Sequence, residues 1–162
     1  MRVNLRRLLA VWEKIGPATD YTQVRYRYGA KPPLGAQCAE VHEADCSGFV
    51  RWLLDRAGVT LPDGSVNQRA WVEQHGWRQL AHYDDVRYAV ADPSRLFIAF
   101  LPARTVRIGR GGVASKTIPG HVWLVHAGWT IECRGGRGTV PRRWNAEALN
   151  RPDAVAYEVP VE

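Results

Sequence analysis

Asp45-Cys46-Ser47-Gly48-Phe49-Val50 opens a run in which Cys46, Val50, Leu53, Leu54 and Ala57 share one helical stripe, and Gly58 follows as a stop. Further along, Gly120-His121-Val122-Trp123-Leu124-Val125 alternates as a strand does. His121, Trp123 and Val125 take one face, and Val122, Leu124 and His126 the other. These two stretches set a cysteine at the mouth of a helix and a histidine at the start of a strand. Their order, helix before sheet, decides the fold class.

Working outward, Leu5, Leu8, Leu9, Trp12 and Ile15 recur at helical spacing, so residues 4–15 read as a first helix closed by Gly16-Pro17. Residues 29–44 read as irregular, because Pro32-Pro33 and Gly35 interrupt any repeat. Ser65-Val66-Asn67-Gln68 has the capping-box pattern and predicts a helix ending near His75. A short helix is expected around 83–91. Leu96–Leu101 is an apolar run of strand length. Ala127-Gly128 is a turn that returns Trp129–Cys133 as a partner strand, and Val140 and Ala154–Val159 add further strands. Residues 102–119 read as a basic, glycine-rich loop. Helices followed by an antiparallel sheet make an α+β fold, and 162 residues without repeats or linkers predict a single domain over 1–162.

The hydrophobic fraction of 46% and seven tryptophans exclude a disordered chain. A net charge of +6 favours anionic partners: cell-wall polymers, nucleic acid or acidic lipid headgroups. No stretch approaches the roughly 18 apolar residues that cross a bilayer, so no membrane insertion is expected. Glu13 and Lys14 break the apolar pattern of the N-terminus, which therefore reads as an amphipathic helix and not as a Sec signal. Three cysteines are an odd count, which argues against a disulfide framework and leaves at least one free thiol.

A thiol at a helix N-terminus faces unpaired N–H groups and the positive end of the helix dipole, which favour the thiolate. Cys46 is thus a candidate nucleophile, with Gly48 leaving room for a substrate backbone. The competing reading is a structural cysteine, since Cys46 also lies on the apolar stripe. His121 is a candidate general base, against the common fate of a satisfied core histidine. Glu132 lies across the hairpin on the face shared with Thr130, where it can hold the imidazole. The alternative for it is a solvent-facing glutamate. Cys38 and Cys133 read as structural, with Cys133 pointing away from Glu132.

These pieces, taken in order, resemble the NlpC family of papain-like cell-wall cysteine peptidases. Tyr26-Arg27-Tyr28-Gly29 resembles the aromatic-glycine segment upstream of the nucleophile, and Asp45-Cys46-Ser47-Gly48-Phe49-Val50 the nucleophile motif. Leu61-Pro62 with Ser65 and Gln68 resembles the element after the nucleophile helix. Leu96–Phe100, Gly120-His121-Val122 and Thr130-Ile131-Glu132-Cys133 resemble the core strands. The resemblance spans about residues 20–140. It implies a papain-like α+β fold and, without any cofactor, attack on an amide bond of peptidoglycan stem peptides. On that resemblance Cys46 is the nucleophile, His121 the general base and acid, and Glu132 the orienting group. Tyr26 lines the site. Asp45 and Ser47 recognise the free amine of a stem-peptide alanine, which points to the bond between D-glutamate and the diamino acid. The chain departs from the family in three places: Glu132 stands where histidine is common, Ala30 replaces a glycine, and the stretch between Gly29 and Asp45 is long. Phage lysins and secreted amidase toxins share this architecture. A chain with no Sec signal fits such delivery to the wall, with an immunity or delivery partner left open.

Other readings remain. A thiol amidase can cut the muramoyl–L-alanine bond or a cross-link, and a catalytically dead relative can simply bind the wall. Cys38-x3-His42-x3-Cys46 has the i, i+4, i+8 spacing of zinc ligands on one helix. The nucleophile motif explains Cys46 better, and no metal is expected. Arg104, Arg107, Arg110, Lys116, Arg134, Arg137, Arg142 and Arg143, with Trp129 and Trp144, suit a phosphate-tracking module. No nucleic-acid-binding motif accompanies them, and no nucleic-acid partner is expected.

Overall fold

The computed structural model describes residues 1–15, 24–80, 91–112, 114–144 and 153–162. Helix α1 spans Leu5–Ile15 and buries Leu8, Val11 and Ile15. Strands β1 (Arg25–Tyr26) and β2 (Glu43–Ala44) form a short parallel pair, with Tyr26 opposite Ala44. Helix α2 spans Cys46–Arg56 and α3 Ser65–Gln74. The remaining strands are β3 (Leu96–Leu101), β4 (Arg104–Ile108), β5 (Ala114–Ile118), β6 (His121–His126), β7 (Trp129–Ile131) and β8 (Val155–Val159). The expected helix near 83–91 falls largely outside the described residues.

Strands β7-β6-β3-β8 form an antiparallel sheet in that order. Leu96, Ile98, Phe100, Val122 and Leu124 point from it into a core shared with α1 and α2, where Phe49, Trp52, Leu53 and Leu54 are fully buried. The opposite face carries Phe97, Ala99, Trp123 and Val125 beneath Trp144. This confirms the alternation read in 121–126 and the α+β class. The β6–β7 turn also forms as expected, with Ala127 and Gly128 both in the left-handed region that a tight hairpin requires (φ 49° and 79°).

Several expectations need correction. Residues 102–119 are not a loop: β4 and β5 pair antiparallel from Arg104↔Ile118 to Ile108↔Ala114, and the glycines at 109, 111 and 112 supply the turn. The β-branched residues Thr105, Val106, Ile108, Thr117 and Ile118 favour this ribbon despite its basic side chains. Val140 lies in no strand. Ser65 does not cap α3. Gly64 precedes the helix in an extended left-handed conformation (φ 82°), and the Gln68 side chain is buried, donating to the Ser47 carbonyl at 2.9 Å and the Pro62 carbonyl at 3.1 Å. Gln68 thus ties α3 to the first turn of α2.

Candidate active site

Asp45 makes the start of α2. Its Oδ1 accepts the Gly48 N–H at 2.7 Å, and its carbonyl accepts the Phe49 N–H at 2.9 Å. Cys46 is therefore the first helical residue, where a backbone N–H has no acceptor within the helix. It is 8% exposed, buried against the core but opening into a cleft of about 810 Å³. The β1–β2 ladder brings Tyr26 to the same cleft.

His121 enters from the other side. Gly120 makes this entry close: a Cβ there would lie 2.8 Å from the Leu101 carbonyl oxygen, so only glycine lets β6 begin opposite the end of β3. The His121 imidazole interacts electrostatically with the Cys46 side chain, and its Nε2 pairs with Glu132 Oε2 at 2.7 Å. Its ring stacks on Trp123, with centroids 5.3 Å apart.

Glu132 is fully buried, not solvent-facing. Every approach to its carboxylate is filled. Oε1 accepts from Thr130 Oγ1 at 2.8 Å and Arg142 Nε at 2.7 Å, and Oε2 from Arg142 Nη2 at 3.3 Å as well as from His121. Arg142 is held in turn: its N–H donates to Thr130 Oγ1 and its carbonyl accepts the Thr130 N–H, both at 2.9 Å. Arg142 thus belongs to the site and not to a free basic surface. Sequence spacing gave no sign of this, because Arg142 arrives from beyond the hairpin.

The electrostatics follow from these contacts. Burial works to lower the His121 pKa, but the interactions with Cys46 and Glu132 outweigh it and push the imidazole up to about 9. Burial works to raise Glu132, yet its bonds and its charged neighbours His121 and Arg142 hold it below the usual carboxylate range. Burial, then the neighbouring Cys46 and Asp45, push the Tyr26 phenol up to about 12, so it stays protonated and able to donate. A thiol beside an imidazolium that is hydrogen-bonded to an ionised carboxylate can perform nucleophilic attack and proton return.

The flanking residues are placed differently from the sequence expectation. Asp45 and Ser47 do line the cleft, but the Lys31 ammonium already engages both. Gly48 does not open space for a substrate backbone. A Cβ there would lie 2.7 Å from the Ala30 carbonyl oxygen and 3.0 Å from Lys31 Cδ, so the glycine admits the chain's own segment. Cys133 donates to the Ala44 carbonyl at 3.4 Å, and burial above all pushes its thiol up to about 12, which leaves it unreactive. The zinc spacing fails on geometry: Cys38 opens a one-turn 3-10 helix ending at Glu40, His42 lies in the coil beyond it, and Cys46 begins α2. Among the described residues no cluster of metal-ligating side chains forms.

Residues 23–91 match the model of the NlpC/P60 family. The fold is similar to NlpC2 from Trichomonas vaginalis (TM-score 0.51, 17% identity), covering 96% of this chain and 45% of that one. It is also similar to the P60 domain of an antigen from M. avium subspecies paratuberculosis (TM-score 0.49, 16% identity), covering 97% of this chain and 93% of that one. A Staphylococcus aureus protein of the NLP/P60 family gives a TM-score of 0.49 at 15% identity, with 98% of this chain and 42% of that chain covered. The chain thus spans less than half the length of the T. vaginalis and S. aureus proteins. No curated protein matches the sequence.

Proposed function

We propose that this chain, whose residues 23–91 match the NlpC/P60 family model, is a cell-wall peptidase that hydrolyses the D-glutamyl–diamino acid bond of peptidoglycan stem peptides. The observation that carries the reading is the His121–Glu132 pair beside Cys46, whose thiol opens on the cleft. The Cys46 thiolate attacks the amide carbonyl, and the Cys46 N–H at the head of α2 holds the oxyanion. The His121 imidazolium gives its proton to the departing amine, leaving an acyl-enzyme. Neutral His121 then takes a proton from water, whose oxygen attacks the thioester and restores the thiolate. Glu132 keeps the ring oriented and stabilises its charged form, while Arg142 and Thr130 keep Glu132 ionised and fixed. Tyr26 donates to the substrate from the β1 side. The reading carries with it action at the wall after phage- or secretion-type delivery.

The test is mass spectrometry of purified muropeptides incubated with the wild type and with Cys46→Ala. The expected result is products from the wild type alone, with masses set by cleavage after D-glutamate. Masses set by cleavage at muramoyl–L-alanine or at a cross-link would assign the other bond. Products from Cys46→Ala at the wild-type rate would refute the thiol mechanism. Silence from both would leave wall binding without hydrolysis as the function.

A further inference from the structure

Lys31 reaches across the cleft wall and places its ammonium where four acceptor atoms converge. Nζ lies 2.9 Å from Asp45 Oδ1, 2.7 Å from Asp45 Oδ2, 2.7 Å from Ser47 Oγ and 3.1 Å from Asp63 Oδ1. Ser47 accepts from Lys31 and donates onward to Asp45 Oδ1 at 3.0 Å. The other approaches to the Asp45 carboxylate are taken by the N–H groups of Gly48 and Gly29.

This is a built arrangement and not a loose surface pair. The Lys31 side chain is only 27% exposed and the Asp45 side chain 8%. The Lys31 stem runs against the first turn of α2 only because residue 48 has no Cβ. The Asp45 N–H donates to the Ala30 carbonyl at 2.9 Å, which fixes the backbone from which Lys31 departs. Burial costs the ammonium something, but Asp45 and Asp63 hold it charged. Lys31, Asp45, Ser47 and Cys46 all line the same cleft.

We propose that Lys31 is a specificity-determining residue: its ammonium fills the cation site beside Cys46, so the enzyme takes stem peptides whose terminal alanine nitrogen is acylated and rejects those with a free amine. This rests on the peptidase reading above and specifies its substrate. A substrate ammonium entering beside Cys46 would meet a like charge across a short, partly desolvated gap, and it would find both Asp45 oxygens already engaged. An amide nitrogen brings no charge, and its N–H asks for a single acceptor. The acylated class is the stem peptide still joined to its glycan strand. The free-amine class is the released fragment.

The experiment compares two tripeptides, L-alanyl-γ-D-glutamyl-diamino acid with a free N-terminus and the same peptide acetylated there. Binding is measured by calorimetry on Cys46→Ala protein, and cleavage as kcat/KM on protein with Cys46 intact. Acetylated peptide is expected to be favoured at least tenfold in both. Lys31→Met should shift the ratio at least tenfold toward the free amine, while Lys31→Arg, which keeps the charge and serves as the folded control, should preserve it. A wild-type ratio near one, or a ratio unchanged by Lys31→Met, would overturn the inference while leaving the peptidase reading intact. Selective binding with no cleavage would overturn that reading and leave the inference standing. Failure of both peptides to bind would remove both.

Discussion

At the scale of the residue, the proposed chemistry turns on one proton. His121 carries it at neutral pH because its interactions with Cys46 and Glu132 lift its pKa to about 9 against the effect of burial. Peptide release should therefore fall as pH rises through about 9, where the general acid is lost. Glu132→Gln removes one of the two supports, so the alkaline limb of the kcat profile should move to lower pH. An unmoved limb would show that Glu132 does not act through the imidazole. His121→Ala should cost ~10²–10⁴-fold in kcat, the usual worth of a general acid–base. Linkage gives a matching stability signature. The folded pKa exceeds the unfolded value of 6.5, so the histidine's contribution is fully present below that value and is lost as pH rises through about 9. Thermal melts of Cys46→Ala and wild type should diverge across that window, because the thiol is one of the two groups raising the pKa. The residues of this series were legible in the sequence as types at a spacing. Arg142 and Lys31 were not, because neither lies in a motif and each reaches its partners only through a contact made by folding.

At the scale of the element, two glycines decide how closely backbones approach. Gly48→Ala should destabilise by about 1–3 kcal/mol, the usual cost of forcing a methyl into packed space. The strain should appear as a lowered melting temperature, and displaced Lys31 should relax the discrimination between acylated and free-amine peptides. A stable variant with unchanged discrimination would mean that the segment at 30–31 moves freely. The helices α1 and α2 and the strand β6 were readable because each carries a clean apolar period, and β3 and β8 because each is a short, largely apolar run. The β4–β5 ribbon was not, because its strands are mostly exposed and carry no sustained apolar alternation. Helix α3 forms where its sequence pattern predicts, but not through a capping box: Gln68 matches a capping residue in type, and its side chain is spent inside the fold.

At the scale of the molecule, charge is unevenly spread. Arg104, Arg107, Arg110 and Lys116 stand exposed on the β4–β5 ribbon, while Thr117 and Pro119 of the same segment line the cleft. Replacing those four with glutamine should weaken turnover of insoluble wall at low salt and flatten its salt dependence. Turnover of a small soluble muropeptide should stay within about twofold, since surface changes away from buried contacts are nearly neutral. An equal loss on both substrates would place the ribbon in catalysis and not in wall approach. The strand order β7-β6-β3-β8 also explains why a helix-then-sheet reading could name the class yet not the arrangement. Which strand lies beside which is set by burial on both faces of β3 and β6 and not by chain order.

The clamp that Arg142 places on Glu132 bears on how the chain is made. Chains emerge from the ribosome N-terminus first. The nucleophile helix and its aspartate cap are synthesised early, whereas the histidine strand, the buried carboxylate and its arginine come late. A nascent chain that stops short of Arg142 lacks the guanidinium that balances Glu132, and it also lacks β8, which flanks β3. Assembly of the candidate site is thereby deferred until Arg142 and β8 have been made, so a chain stopped before them carries an intact thiol but an unfinished site.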